Sequence, residues 1–477
     1  MIMAEQGFEF DTDQWQAWCL LCGRSRGVPY NTADSLCPDC VEQYQDARFF
    51  RRILRSNLAL SFTTIIPEPK RIPADLFTRG CKDLFLRKSR GLLRDPWDLL
   101  PYLFPADLRI PCGQPALFKM PHLAQFAGLG QTWVLDMSTY GLSGTHKDLR
   151  SWAVLSKAIE HDIKHLALWT AGNAGLSLTR LVKRWNATVP PRQRKTVYCL
   201  MDDSVPDEIR LELRGPYCWT AELSTGSGAI LSRDQLYNMV AAMSGGKAER
   251  EGYWQVTDGW DGVGLFMYSL LAQQCIKFLR DELRKTKQEE SKVYVILPIG
   301  TGNILFGFIR GMERFGAGRA KLVAALPYGD HMMQSFVPPE EREEEDEADG
   351  GPRRMGLAEP EAPKLTGFYS PLAPCLWKLT QTKDFNNLEF VERIEVDRAA
   401  QLEVAARLQG PDDATMIDAE PSALIAFGAL KELARRIRKD GRGENPEDSI
   451  VLVVNSGRGL MGPAEWAISK RSIVVSR

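Results

Sequence analysis

Four short segments of the sequence place chemically useful side chains directly after apolar runs that are typical of buried strands. The first is residues 143–148 (SGTHKD), a turn that leads straight into a helical pattern. Lys147 at the start of that helix would lie at the positive end of the helix macrodipole, which disfavours the charged form of its amine. A neutral amine is the form that condenses with a carbonyl group. The segment therefore predicts that Lys147 forms an imine with a ligand.

The second segment, residues 170–175 (TAGNAG), also joins a strand to a helix. Its small residues allow a ligand to approach the backbone, and Asn173 offers both a donor and an acceptor on a short side chain. Two interpretations stay open at this stage. Asn173 either binds a ligand or caps the helix of an ordinary strand-to-helix turn.

The third segment, residues 298–304 (PIGTGNI), has glycines and successive backbone N–H groups before a helix, an arrangement that cradles an anion. It lacks the Lys-Ser/Thr ending of a Walker P-loop and the third glycine of the dinucleotide fingerprint. The segment therefore predicts a site for a single phosphate group, formed by Gly300, Thr301, Gly302 and Asn303.

The fourth segment, residues 454–459 (VNSGRG), follows the apolar run SIVLVV. The hydroxyl of Ser456 can hydrogen-bond a heterocyclic nitrogen without giving it a full proton. The four segments thus offer an amine, an amide, a phosphate cradle and a hydroxyl. That set suits a phosphorylated aldehyde cofactor with an electron-withdrawing ring.

Strand-like and helical patterns alternate from about residue 109 onwards. Strands are predicted at 132–137, 164–170, 195–201, 292–298, 319–327 and 449–456, and helices at 147–161 and 265–285. Such alternation indicates parallel sheets with helical crossovers, an α/β fold. Ligands in such folds bind beyond the carboxyl ends of the strands, which is where the four segments are expected.

The composition is that of an ordinary globular protein and excludes some classes of partner. The 477 residues predict two or three domains, and 60 basic against 61 acidic residues leave a net charge of -1. That balance gives no reason to expect nucleic acid or an anionic membrane as a partner. No apolar run reaches the ~20 residues of a spanning helix. The acidic start MIMAEQGFEFDTDQW differs from a signal peptide, so we expect a cytoplasmic protein.

Four of the ten cysteines form two C-x-x-C pairs near the N-terminus, at Cys19, Cys22, Cys37 and Cys40. That spacing can place four thiolates around one structural zinc ion in a small zinc-ribbon-like segment, residues 1–45. Two disulfides or unused thiols are the alternative, although disulfides are rare in a reducing compartment. The other cysteines are scattered singly and are expected to be small buried side chains.

Two further segments lie outside the predicted α/β pattern. Residues 46–108 alternate apolar and basic residues and predict a helical N-terminal extension. Its basic run at 51–55 is either a polyanion-binding patch or the solvated face of a helix. Residues 338–364 contain the acidic stretch EEREEEDEADGG and predict a disordered surface loop, with a regulatory role as the alternative.

In this order the four segments resemble the motifs of threonine synthase and its relatives, the tryptophan-synthase-β-like (fold type II) pyridoxal-phosphate enzymes. SGTHKD resembles T-G-S-F-K-D, TAGNAG resembles S-T-G-N-T-S, PIGTGN is similar to P-V-G-N-G-G, and NSGRGL is similar to L-T-G-H-G-L. The resemblance implies that Lys147 carries the cofactor as a Schiff base and that Asn173 binds the ring hydroxyl. It also implies that residues 300–303 bind the phosphate and that Ser456 faces the pyridine nitrogen.

Two flanking matches extend the resemblance to residues 90–477. CGQPAL at 112–117 stands where the family has G-E-G-x-T-P-L, and DAEPSA at 418–423 follows its C-E-P-A-S-A. The resemblance implies two open parallel-sheet domains over 109–477, with a small domain at about 140–225 inserted in the large one. It also implies a homodimer.

The residues expected around the substrate depart from the family pattern. Threonine synthases have a basic N-P-x-R-x-E-G-Q-K-T, whereas residues 257–264 read TDGWDGVG and lack both the arginine and the lysine that would bind a phosphate ester. Thr145, Thr170 and Ala171 are expected at the substrate. His146 either transfers protons or packs against its neighbours, and Arg458 binds either a substrate anion or a neighbouring acidic side chain.

These departures predict a pyridoxal-phosphate-dependent β- or γ-replacement or elimination on an amino acid, for example of the cysteate-synthase type. Lys147, once released from the cofactor, would remove the Cα proton. One alternative is a true threonine synthase that acts on O-phosphohomoserine. The other is a non-catalytic binding protein that keeps the fold.

Overall fold

A computed structural model describes most of the chain after residue 114. The described ranges are 115–160, 162–170, 172–202, 205, 207–223, 233–256, 262–286, 288, 291–300, 302–315, 320–327, 392–408, 417–439 and 445–458. Of the earlier residues it describes the three short strands β1 (Gln14–Trp18), β2 (Ser25–Pro29) and β3 (Ile65–Ile66), which pair antiparallel in the order β2-β1-β3. The rest of the predicted extension, the four predicted zinc cysteines and the predicted acidic loop lie outside the described residues.

The larger sheet has six strands. They are β4 (Ala116–Lys119), β5 (Gln131–Asp136), β10 (Val293–Pro298), β11 (Lys321–Pro327), β12 (Glu392–Val396) and β13 (Ile450–Asn455). Their order is β12-β11-β10-β13-β5-β4. Neighbouring strands are parallel except for β4, which pairs antiparallel with β5.

The smaller sheet has four parallel strands, all of which lie between β5 and β10 in the chain. They are β6 (His165–Thr170), β7 (Thr196–Asp202), β8 (Cys218–Leu223) and β9 (Tyr253–Gln255), in the order β8-β7-β6-β9. The smaller sheet is therefore an insertion in the chain of the larger one. It continues past residue 225, because β9 pairs with β6.

Helices connect the strands of both sheets. They are α1 (Pro121–Ala127), α2 (Lys147–Glu160), α3 (Asn173–Thr188), α4 (Asp207–Leu213), α5 (Arg233–Met243), α6 (Lys247–Glu251), α7 (Gly262–Lys285), α8 (Asn303–Phe315), α9 (Arg398–Ala405), α10 (Pro421–Gly428) and α11 (Leu430–Lys439). None of the described helices is long and apolar enough to cross a membrane.

The central strands of the larger sheet are buried over their whole length. Every residue of β10 (VYVILP) and of β13 (IVLVVN) is buried. Continuous apolar runs of this kind belong to parallel strands whose two faces are both covered. On one face the apolar helix α10 packs against both strands. These buried strands form the centre of the larger core. Their burial holds in place the strand ends at which the candidate site lies.

Four strand ends lead into the segments that the sequence singled out. The lysine loop (residues 137–146) joins β5 to α2, the β6 loop (171–172) joins β6 to α3, and the β10 loop (299–302) joins β10 to α8. The β13 loop (456–458) follows β13. Because β13 lies between β10 and β5 in the sheet, its loop emerges between the β10 loop and the lysine loop.

The predicted α/β fold is confirmed, and so are the individual elements on which it depended. All six predicted strands are present, with their ends shifted by a residue or two. The helices predicted at 147–161 and 265–285 run over Lys147–Glu160 and Gly262–Lys285. The sequence did not indicate β4, β8, β9 or β12, each of which is an edge strand of its sheet.

Candidate active site

The main chain immediately before Lys147 is held by the β13 loop. Thr145 and Gly457 form an isolated antiparallel bridge, and the N–H of Arg458 donates to the carbonyl of Gly144 at 3.0 Å. Lys147 itself is half-buried and is the first residue of α2. The place where α2 begins is therefore fixed from outside the helix, by a segment more than three hundred residues further along the chain.

Two glycines make this close approach of the loops possible. Gly144 has a φ of 67°, and a Cβ added there would lie 2.6 Å from the carbonyl oxygen of Ser138 in its own loop and 2.9 Å from Nε of Arg458 in the β13 loop. Gly457 has a φ of 145°, and a Cβ there would lie 2.5 Å from the carbonyl oxygen of Gly144. Other residues rarely adopt these backbone conformations, so both positions need glycine for conformation and for space.

His146 makes a second set of contacts with the same loop. Its backbone N–H donates to the carbonyl of Ser456 at 2.9 Å, and its Nδ1 lies 3.0 Å from the same oxygen. A carbonyl oxygen only accepts, so this bond requires the proton on Nδ1 and leaves Nε2 as the basic nitrogen of a neutral ring. The ring also packs 5.5 Å from that of Tyr268. The ring of His146 therefore packs against Tyr268, and its contact with Ser456 places the proton of a neutral ring on Nδ1.

A buried carboxylate anchors the start of α2 to α3. Asp148 is 1% exposed; its Oδ2 accepts from the backbone N–H of Ser143 at 2.8 Å, and its Oδ1 accepts from the hydroxyl of Ser177 at 2.6 Å. Burial raises the pKa of Asp148 to about 6, although these bonds and the nearby Arg180 act in the opposite direction. Sequence reasoning did not single out Asp148, but its place directly after Lys147 was the available signal.

Thr145 and Thr170, both predicted at the substrate, are used by the backbone around them. The Oγ1 of Thr170 accepts the N–H groups of Gly172 at 3.0 Å and of Gly175 at 2.9 Å. The Oγ1 of Thr145 accepts the N–H of Lys147 at 3.3 Å. Both side chains are buried, and both shape the loops in which they lie.

Asn173 is the first residue of α3, and its side chain reaches across to the larger sheet. Its Nδ2 donates to Oε1 of Glu420 at 2.8 Å. The backbone N–H of Glu420 in turn donates to the carbonyl of Gly457 at 3.0 Å. The second sequence segment is thereby joined to the β13 loop through Glu420, a residue of the DAEPSA segment for which the sequence predicted no role.

The β10 loop ends in an asparagine whose amide has no partner among the described residues. Asn303 is 3% exposed, and neither its Nδ2 nor its Oδ1 has a hydrogen-bond partner there. It begins α8 and follows Gly302, which has a φ of 86°. A buried amide without partners is costly and calls for an explanation such as a ligand. Thr301, predicted in the same loop, lies outside the described residues, and Gly300 is part-buried.

Ser456 is buried at the start of the β13 loop. The residue before it, Asn455, donates from Nδ2 to Oδ1 of Asp136 at 2.7 Å and to the carbonyl of Asp418 at 2.9 Å. Burial raises the pKa of Asp136, although bonds from Ser138 and Asn455 oppose that shift. The ends of β5 and β13 are therefore tied together directly beneath Ser456, at the register pair formed by Asn455 and Asp136.

Arg458 has an acidic neighbour. Its guanidinium lies 3.9 Å from the carboxylate of Asp418, and its side chain remains 49% exposed. An exposed pair at this distance is worth little energy, so it leaves Arg458 able to bind an anion as well. Both of the alternatives raised by the sequence for this residue thus stay open.

Several predicted site residues cannot be placed. Ala171 and the cysteines Cys19, Cys22, Cys37 and Cys40 lie outside the described residues. Within the part of the chain that the structure describes, no group of three or more His, Cys, Asp or Glu residues could hold a metal ion. The zinc site therefore stays a prediction.

Comparison with known proteins places the fold. No protein-family model and no curated protein matches this sequence. A pyridoxal 5'-phosphate-dependent aspartate racemase is similar in structure, with a TM-score of 0.51 and 14% identity over 74% of this chain and 92% of that chain. An L-serine ammonia-lyase of the fungus Rhizomucor miehei also has a TM-score of 0.51 and 14% identity, over 76% and 98% of the two chains.

A serine racemase of Dictyostelium discoideum has a TM-score of 0.50 and 14% identity, over 72% of this chain and 92% of that one. At this level of identity the similarity concerns the fold. It extends over nearly the whole length of each of these proteins. The chain therefore has the α/β fold of the fold type II pyridoxal-phosphate enzymes.

Proposed function

We propose that this protein is a pyridoxal-phosphate-dependent enzyme that acts on an amino acid, with Lys147 as the residue that carries the cofactor. The observation that carries the proposal is the position of Lys147. It begins the helix that follows the carboxyl end of β5. The loop before it is bonded along its backbone to the loop of the adjacent strand β13. In open α/β sheets this is where ligands bind.

The residues present fit the cofactor. Asn303 supplies a buried amide without partners among the described residues, and the N-terminus of α8 beside it suits a phosphate. In this proposal Gly300, Thr301, Gly302 and Asn303 hold the phosphate. Asn173 would hold the ring hydroxyl, and the hydroxyl of Ser456 would face the ring nitrogen.

The chemistry follows from what these groups can do. Pyridoxal phosphate, when bound, withdraws electrons from the Cα of an attached amino acid. Lys147 would take up the Cα proton at Nζ. His146, held with its proton on Nδ1, offers Nε2 as a second place to hold a proton. The bonds between the lysine loop and the β13 loop keep both residues in place.

We propose elimination or replacement at the β- or γ-carbon as the reaction, as in the sequence-based expectation. The lack of a basic stretch at 257–264 supports a substrate other than O-phosphohomoserine, and the half-exposed Arg458 supports one with an acidic side chain. A cysteate-synthase-like replacement is one such reaction. A homodimer and a structural zinc ion bound by Cys19, Cys22, Cys37 and Cys40 remain part of the proposal.

The test of the cofactor assignment compares two lysine substitutions. Wild-type protein and Lys183→Ala, at an exposed lysine of α3, should develop a visible absorbance band with pyridoxal phosphate. After borohydride reduction both should carry the cofactor on the peptide that contains Lys147. Lys147→Ala should show neither, and its turnover should fall by about 10³-fold or more. A wild-type protein that binds no pyridoxal phosphate would refute the proposal.

The reaction class is tested on the loaded wild-type enzyme with serine, O-acetylserine, O-phosphoserine and O-phosphohomoserine. Elimination is measured as release of ammonia and a keto acid, and replacement as formation of a new amino acid. Threonine formed from O-phosphohomoserine would show a true threonine synthase. Racemisation without loss of a leaving group would keep the cofactor assignment but exclude elimination and replacement.

A further inference from the structure

Glu420 combines deep burial with a charged side chain at the junction of the two sheets. Glu420 is 3% exposed and lies directly before α10. That helix packs on β10 and β13. Burying a carboxylate costs several kcal/mol unless donors compensate it. One such donor is Asn173, which begins the helix that follows β6 of the smaller sheet.

The helix that Glu420 precedes does not account for its carboxylate. Glu420 occupies the N-cap position of α10, where a side chain normally accepts an N–H from the first turn, yet it makes no such bond. Its backbone carbonyl accepts from Ala423 at 2.8 Å and Leu424 at 3.0 Å instead. The carboxylate accepts from Nδ2 of Asn173 at 2.8 Å.

We infer that Glu420 is a positioning residue that sets the orientation of the Asn173 amide, an inference that rests on the proposed function. A carboxylate accepts hydrogen bonds, so Glu420 holds the nitrogen of the amide towards itself and disfavours the flipped amide, whose oxygen would face a negative charge. The amide nitrogen carries two hydrogens, and the second is directed away from Glu420. That hydrogen is the one that the proposed role of Asn173 presents to the ring hydroxyl.

The same contact couples the two sheets at the site. Glu420 donates its own N–H to Gly457, which bridges to Thr145 in the lysine loop. These contacts fix the position of the Asn173 amide relative to the loop that holds Lys147. Glu420 thus acts through Asn173 and sets the contact of the cofactor with α3 relative to its attachment at Lys147.

The test is a double-mutant cycle that measures the dissociation constant of pyridoxal phosphate and the position of the visible absorbance band. Glu420→Ala should weaken cofactor binding by about ten- to a hundredfold, the range for a hydrogen bond to a charged group, and should shift the band. Asn173→Ala should have an effect of similar size. In the Asn173→Ala background, Glu420→Ala should cause no further change, because its effect passes through that amide.

Two variants keep the test decisive. Glu420→Gln retains the shape and one acceptor, so it should fold and weaken binding by only a few-fold, and it replaces Glu420→Ala if that variant does not fold. Glu403→Gln, at a glutamate whose side chain is 51% exposed, controls for the loss of one charge and should bind like the wild type. Additive effects in the cycle, or wild-type binding by Glu420→Ala, would overturn the inference. A wild-type protein without cofactor binding would overturn the proposed function instead.

Discussion

The lysine loop and the β10 loop lie at strand ends that only β13 separates in the sheet, yet their polar groups are satisfied differently. The lysine loop is bonded to the β13 loop along its main chain, and Asp148 secures the start of the helix that follows. The amide of Asn303, at the end of the β10 loop, has no partner among the described residues. The hydrogen bonds of the lysine loop are made within the protein. The β10 loop has the properties of a site whose hydrogen bonds a ligand would make.

The largest effect is expected where the lysine loop and the β13 loop touch. Gly144→Ala places a Cβ 2.6 Å from the carbonyl oxygen of Ser138 at a φ of 67°, whereas Gly245→Ala has nothing within 4 Å at a φ of 63°. Gly245→Ala should cost about 1 kcal/mol of unfolding free energy for its backbone conformation alone. Gly144→Ala should cost about 3 kcal/mol or more, measured by denaturant unfolding. Equal costs would mean that the surroundings of Gly144 are not tightly packed.

Asp148 makes the stability of the lysine loop depend on pH. Its folded-state pKa of about 6 lies above its ordinary value of 3.8, so the folded protein binds this proton more tightly than the unfolded chain. The stability that protonation contributes is fully present below about pH 4 and is lost as the pH rises through 6. Relative to Asp148→Asn, the wild type should therefore gain up to about 3 kcal/mol of unfolding free energy between pH 7 and pH 4.

This pH dependence is measured by denaturant unfolding of both proteins across the range. Asp207→Asn, at a carboxylate whose side chain is 87% exposed, controls for the removal of one charge. A constant difference between wild type and Asp148→Asn at every pH would show that this carboxylate does not titrate in the range. The anchor between α2 and α3 would then be an ordinary solvated carboxylate.

The strands that the sequence predicted are those that are covered on both faces of their sheet. β10 and β13 read as unbroken apolar runs, which parallel strands with covered faces require. The edge strand β12 (ERIEV) is only partly buried and carries three charged residues, so no apolar run marks it. Edge strands obtain their place from pairing with a neighbour, which a single segment of sequence does not reveal.

The same reasoning explains what was found and missed at the site. The residues of the four strand-end segments are contiguous, so their types and order were visible in the sequence. The bond between Asn173 and Glu420 joins residues 247 apart, and only the packing of the smaller sheet against the larger one brings them together. The orphaned amide of Asn303 was likewise invisible, because burial without partners is a property of the folded chain.

The smallest expected change in stability concerns the β10 loop. It is tested by comparing two buried asparagines, Asn186 and Asn303. Asn186 is fully bonded: its Nδ2 donates to the carbonyl of Lys195 at 2.7 Å, and its Oδ1 accepts the N–H of Lys195 at 2.8 Å. Asn186→Ala should therefore destabilise the cofactor-free protein by about 2 kcal/mol, because it leaves buried backbone groups unpaired. Asn303→Ala removes an amide without partners among the described residues, so the cofactor-free protein should change by less than about 1 kcal/mol.

Cofactor binding should respond in the opposite order. If the β10 loop is completed by the phosphate, Asn303→Ala should weaken the binding of pyridoxal phosphate by about tenfold, measured by titration of the cofactor-free protein. Asn186→Ala should bind the cofactor like the wild type wherever it is folded, since Asn186 lies far along α3 from Asn173. If Asn303→Ala instead destabilised the cofactor-free protein as much as Asn186→Ala, its amide would have partners of its own. The β10 loop would then be as complete as the lysine loop, and the distinction between the two would be wrong.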